Sequence, residues 1–81
     1  MNGGDIVNQK NDRLIKLRRE NNLTQQELAD RVELTQSMIS HIEAGRKDPG
    51  KINKIKIARL LKVSVEWLFY EQVDDQGSLT I

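Results

Sequence analysis

Residues 23–45, LTQQELADRVELTQSMISHIEAG, constrain the fold more than any other part of this chain. They spell two short helices and fix the angle between them. Thr24 with Glu27 three residues on forms a capping box, and Leu23 with Leu28 stands at the spacing of a hydrophobic staple. Leu28, Ala29 and Val32 then make a buried stripe, Ala29 being small enough for another helix to come close. The turn runs through Glu33 and Leu34, with Leu34 as an apolar plug, and Thr35 caps the next helix. Met38, Ile39 and Ile42 point that helix inward at helical spacing, and Gly45 ends it. So short a connection forces a steep crossing and lets the second helix project.

The outward face of that second helix carries Gln36, Ser37, Ser40, His41 and Ala44. A face that meets only water usually bears Lys and Glu, which favour helix and solvate well. Short, uncharged hydrogen-bonding groups suit the edges of bases in a major groove instead. Gln36 is the best-matched reader, because a primary amide donates and accepts at once, as N6 and N7 of adenine require. Ser37, Ser40 and His41 are the further base-reading candidates.

The rest of the chain supplies a scaffold. Residues 1–10 are polar and Gly-containing and read as a loose arm, 11–70 as the folded domain, and 71–81 as a polar tail or linker. The first helix is expected from Asn11 or Asp12 to Asn21, with Leu14 and Leu17 inward and Asn22 as a left-handed terminator. After the RKDPGK turn with its single Pro49, a fourth helix is expected over Ile52 to Leu61. It should bury Ile55, Ala58 and Leu61, with Ile52 or Ile57 also in contact. Ser64 should cap a fifth helix, whose Trp67 and Leu68 close the core. The fold class is therefore all-α.

Eighty-one residues make one small domain. The chain has no Cys, and His41 alone cannot build a metal site. No apolar run is long enough to span a membrane. With no Gly-rich phosphate loop, paired acids or nucleophile arrangement, an enzyme is not expected, nor a cofactor. A reducing, cytoplasmic setting is. The net charge of +1 hides an asymmetry: seven bases against one acid from Arg46 to Lys62, then four acids and no base from Val63 to Ile81. One side can then seek phosphate without the whole molecule being basic. Gln25, at the positive end of the second helix, is the anchoring candidate on one flank, and Arg46, Lys47 and Lys51 on the other. Lys10 and Arg13 extend that set, and Thr35 adds a phosphate contact secondary to its cap.

Leu17-Arg18, LTQQELA (23–29), Val32, the T-Q-S-x-I-S-x-I-E-x-G run from Thr35 to Gly45, Pro49, Ile57-Ala58, Leu61 and VSVEWL (63–68) together resemble the Cro and phage-repressor type of helix-turn-helix protein, the XRE family. The resemblance spans roughly residues 12–69. It implies a compact five-helix, lambda-repressor-like DNA-binding domain with the helix-turn-helix at helices two and three. It matches Gln25 and Gln36 to paired glutamines, the first on a phosphate and supporting the second on a base. It matches Ser37 and His41 to base-facing positions, and Arg18 and Glu43 to an ion pair. Three departures stand out: Glu33 and Asn22 replace common glycines, and Lys51 and Lys54 occupy positions that are more often apolar, implying a later start or a rotation of the fourth helix. The implied partner is a double-stranded DNA operator, an inverted repeat bound by a homodimer. Phe69, Tyr70 and Val73 are the dimer-contact candidates. A repressor of phage or mobile-element type is the reading this favours. The alternative is an antitoxin-type autoregulator that also binds a partner protein through its C-terminal region.

Overall fold

The computed structural model describes residues 10–71, and every regular element in them is helical. Four α-helices follow in order: α1 (Asp12–Glu20), α2 (Gln25–Val32), α3 (Gln36–Glu43) and α4 (Lys51–Leu61). A fifth helix, Glu66–Tyr70, is wound as a π-helix. No helix among the described residues is long and apolar enough to cross a membrane. The arm and tail lie outside the described residues apart from Lys10 and Glu71, and Val73 lies outside them too.

Helix starts follow the local code. The Asn11 side chain accepts from Leu14 N at 3.0 Å, and the Thr24–Glu27 capping box closes in both directions, at 3.0 and 2.9 Å. Thr35 Oγ1 accepts from Met38 N, and Ser64 Oγ from Trp67 N. Asn11 also ties the fold together. Its backbone N–H donates to Glu43 O at 2.9 Å and its side-chain amide to Leu68 O at 3.1 Å, joining the start of α1 to the end of α3 and the middle of the π-helix.

All four α-helices end in the same way. A residue in the left-handed region donates its N–H three residues back, and the next residue donates five back. The pairs are Asn22/Leu23, Glu33/Leu34, Gly45/Arg46 and Lys62/Val63, and this double bond is the Schellman arrangement. Only one of the four left-handed residues is glycine; Asn22, Glu33 and Lys62 have φ of 58, 62 and 63°. Asn tolerates this conformation, whereas Glu and Lys each carry a penalty of about 1 kcal/mol.

The core is Leu14, Leu28, Ala29, Val32, Ile39, Ile42, Ile57, Ala58, Leu61 and Leu68, with Leu17, Leu34, Met38, Val63, Val65 and Phe69 packed against it. Two expectations need correction. In α4 the buried stripe is Lys54, Ile57, Ala58 and Leu61; Ile55 is only half-buried and Ile52 is 64% exposed. The helix begins at Lys51, without a later start, and is rotated so that a lysine takes the apolar register. The physical reason is that Lys54 lays its stem in the stripe while its ammonium finds partners at the surface: it meets Asp48 at 2.8 Å and Tyr70 Oη at 2.9 Å, and lies 4.4 Å from the Tyr70 ring centre. Trp67 does not close the core. It is 36% exposed, capped by the Arg13 guanidinium at 4.4 Å, while Leu68 beside it is fully buried.

Candidate nucleic-acid interface

Helix α3 buries Ile39, Ile42 and Glu43 and turns Gln36, Ser37 and His41 to the surface, with Ser40 half-buried beside them. Its hold on the body is polar as well as apolar. Arg18 Nε donates to Glu43 Oε2 at 2.6 Å and Nη2 to Oε1 at 3.3 Å, a two-pronged contact between side chains only 9% and 5% exposed. Arg18 Nη1 also donates to Leu23 O at 2.7 Å. The ion pair thus pins α3 to α1 and to the entry of α2.

From Glu43 the network runs outward. Gln25 Nε2 donates to Glu43 Oε1 at 3.0 Å, and Gln36 Nε2 donates to Gln25 Oε1 at 2.6 Å. The four side chains Arg18, Glu43, Gln25 and Gln36 form one continuous chain from a buried charge to an exposed amide. Sequence separation hides this: Gln25 and Glu43 are 18 residues apart, and their link appears only once α2 and α3 are crossed. Among the described residues no buried side-chain nitrogen or oxygen lacks a partner.

The candidate phosphate anchors divide into two groups. Lys10, Thr35, Arg46, Lys47 and Lys51 are exposed, and Gln25 is half-buried at the first position of α2, where the helix dipole is positive. Arg46 and Lys47 directly follow the left-handed Gly45. Arg13, the remaining candidate, also has a partner within the fold. Besides stacking on Trp67, its Nη1 donates to the Trp67 carbonyl at 2.6 Å, so its charge is engaged in holding α1 to the π-helix.

Sequence reasoning missed the cluster around Lys54. Asp48 Oδ1 takes the Lys54 ammonium while Oδ2 accepts from Gly50 N at 3.1 Å, closing the loop that comes after Lys47. The hydrogen bond from Lys54 holds the Asp48 carboxyl below its ordinary value, with help from the Gly50 N–H. Burial pushes the Lys54 ammonium down, but its bonds to Asp48 and Tyr70 outweigh this and keep it above the usual lysine value. The available signal was Lys54 standing three and four residues before Ile57 and Ala58, in register with the stripe. Of the dimer-contact candidates, Phe69 is half-buried against the core and Tyr70 is 62% exposed. No group of His, Asp and Glu among the described residues could hold a metal ion.

The helix-turn-helix family model HTH_3 matches residues 14–68, about two thirds of the chain. Among solved structures, the restriction-modification controller protein C.AhdI from Aeromonas hydrophila is similar at 30% identity and a TM-score of 0.66, over 73% of this chain and 86% of that one. A chain of the SinR protein/SinI protein complex is similar at 27% identity and a TM-score of 0.64, over 82% of this chain and 68% of that one. No curated protein sequence matches. With its turn between α2 and α3, its polar α3 face and a family match that spans the whole folded core, the chain belongs to the XRE-type helix-turn-helix family of DNA-binding regulators.

Proposed function

We propose that this protein is a sequence-specific transcriptional repressor that binds an inverted-repeat operator as a homodimer and belongs to a phage or other mobile element. The observation that carries the reading is α3 itself: Gln36, Ser37 and His41 exposed on one side, Ile39, Ile42 and Glu43 anchored on the other. A helix held rigidly by its buried face can present amide and hydroxyl tips at fixed positions, as base readout demands. Gln36, Ser37, Ser40 and His41 read base edges. Gln25, Thr35, Arg46, Lys47, Lys51 and Lys10 grip the backbone on either side, supplying most of the affinity while the bases supply discrimination. One such helix reads only a few base pairs, so two-fold pairing on half-sites about one helical turn apart is the expected mode. Phe69, Tyr70 and the residues after them, Val73 included, make the dimer contact.

Selection of bound duplexes from a random pool tests this. The expected product is an inverted repeat with half-site centres about 10 base pairs apart. Recovery of unrelated sequences with no common site would sink the repressor reading.

A second reading draws on the similarity to a protein solved in complex with another protein, SinR with SinI. On that reading the chain is an antitoxin-type autoregulator whose C-terminal region, from the exposed Tyr70 onward, holds a partner protein. Co-purification of a stoichiometric partner through that region, abolished by truncation after Glu71, would favour it over the simple repressor.

A further inference from the structure

We infer that Glu43 is a positioning residue for base reading: it sets which way round the Gln36 amide faces the groove. The inference rests on the proposed reading role of Gln36.

A carboxylate accepts hydrogen bonds and cannot donate them. Glu43 already takes two N–H groups from Arg18, at 2.6 and 3.3 Å, and its Oε1 takes a third from Gln25 at 3.0 Å. Gln25 must therefore turn its NH2 inward and its carbonyl outward. Gln36 must in turn give an N–H to that carbonyl, as it does at 2.6 Å. Each amide has only one orientation that satisfies its neighbour, because the chain starts from a group that only accepts. Glu43, with its side chain 5% exposed, has almost no access to water that could relax the rule.

The consequence lies at the far end. Gln36 keeps its Oε1 and one N–H for DNA, an acceptor beside a donor, which complements N6–H2 and N7 of adenine. The reverse sense would leave it a bare NH2, two donors, which complements O6 and N7 of guanine. A buried carboxylate that never reaches the groove thus selects between adenine and guanine at one base pair.

The test uses the full chain and operator duplexes that carry A·T or G·C at the base pair whose preference vanishes in Gln36→Ala, with affinities read by fluorescence anisotropy. The wild-type protein should prefer A·T by on the order of tenfold. In Glu43→Gln the new carbonyl stays on Arg18 and the new NH2 faces Gln25, so both amides reverse and the preference swings to G·C. Gln25→Met keeps the chain length but cuts the relay, leaving Gln36 free to turn either way, so the preference should fall to about twofold or less. Circular dichroism checks that each variant folds, and should Glu43→Gln not fold, Gln25→Met decides alone. A folded Glu43→Gln or Gln25→Met that keeps the wild-type adenine preference overturns the inference, while the loss of preference in Gln36→Ala still upholds base reading. If Gln36→Ala changes no base preference, base reading by Gln36 fails, and this inference fails with it.

Discussion

Replacing Arg18 by Met tests whether the buried ion pair carries the fold or merely decorates it. The change removes both donors to Glu43 and the donor to Leu23 O, while the Met stem still fills most of the arginine's track. Glu43 stays enclosed, its charge met only by the Gln25 amide. Stripping one partner from a buried pair costs about 3–5 kcal/mol, because the surviving charge is left without its counterion and cannot recover its water. A chain of this length has roughly 4–12 kcal/mol in hand, so the single change should consume much or all of it. The double variant Arg18→Met/Glu43→Leu behaves differently. It replaces both charges with apolar groups, and its stability should return to within about 1 kcal/mol of wild type or exceed it. Urea denaturation reads both, with the single Trp67, half-exposed beneath Arg13, as the fluorescent reporter. The reasoning is refuted if Arg18→Met costs under about 1 kcal/mol, the value of an exposed pair. It is equally refuted if the double variant is no better than the single.

Lys62→Gly should raise stability by about 1 kcal/mol and the melting temperature by roughly 4–8 °C, since Gly takes the left-handed position without penalty; an unchanged melting curve would mean no strain is stored there. Glu33→Gly should gain less, because it gives up the exposed contact with Lys56 at 3.0 Å. The Asp48–Lys54 pair should leave a mark at both ends of the pH scale. Its acid contribution is present above the free carboxyl value of 3.8 and lost as pH falls through the lower folded value. Its alkaline contribution is present below 10.5 and lost as pH rises through the higher folded value of Lys54. Asp48→Asn should accordingly flatten the dependence of stability on pH below about 4, and an acid limb as steep as wild type counts against the pair. Arg46→Ala/Lys47→Ala should weaken binding to all duplexes alike and lower the salt slope by about 2, one for each phosphate no longer neutralised. An unchanged slope would remove both from the phosphate set.

What the sequence discloses and what it hides divides along a physical line. Capping is local, so Asn11, Thr24 with Glu27, Thr35 and Ser64 could be assigned from neighbours three residues away. The stripes of α2 and α3 were legible because each has one coherent set of apolar positions. In α4 the isoleucines do not share one face: Ile52 and Ile55 stand three apart on one side and Ile57 on another, so more than one register looks apolar. The choice among them was made by Asp48 and Tyr70, which reach Lys54 from a loop and from the last helix. No periodicity argument holds that information. The place of Trp67 is hidden for a similar reason: a large ring looks like core until Arg13, 54 residues away, supplies a cationic cover for it. The non-glycine helix ends at Glu33 and Lys62 are legible only through the next residue in each case. Leu34 and Val63 fold back on the core and draw the preceding residue into the left-handed region.

Two polar clusters were missed or only half-seen in the sequence, and the first of them runs into the proposed reading element itself. The Arg18–Glu43–Gln25–Gln36 chain secures α3 to α1 and α2, and the Asp48–Lys54–Tyr70 cluster closes the loop that follows Arg46 and Lys47. The buried Arg18–Glu43 pair is not the most effective way to stabilise so small a core, because apolar side chains of equal volume would serve stability as well or better. What charges and amides add is direction: a hydrogen bond fails when a side chain rotates, whereas a methyl contact hardly notices. A helix that must hold an amide in register with one base edge has a use for that intolerance. If the Arg18→Met/Glu43→Leu variant proves as stable as wild type yet loses its base preference, stability and reading will have been separated at a single buried pair.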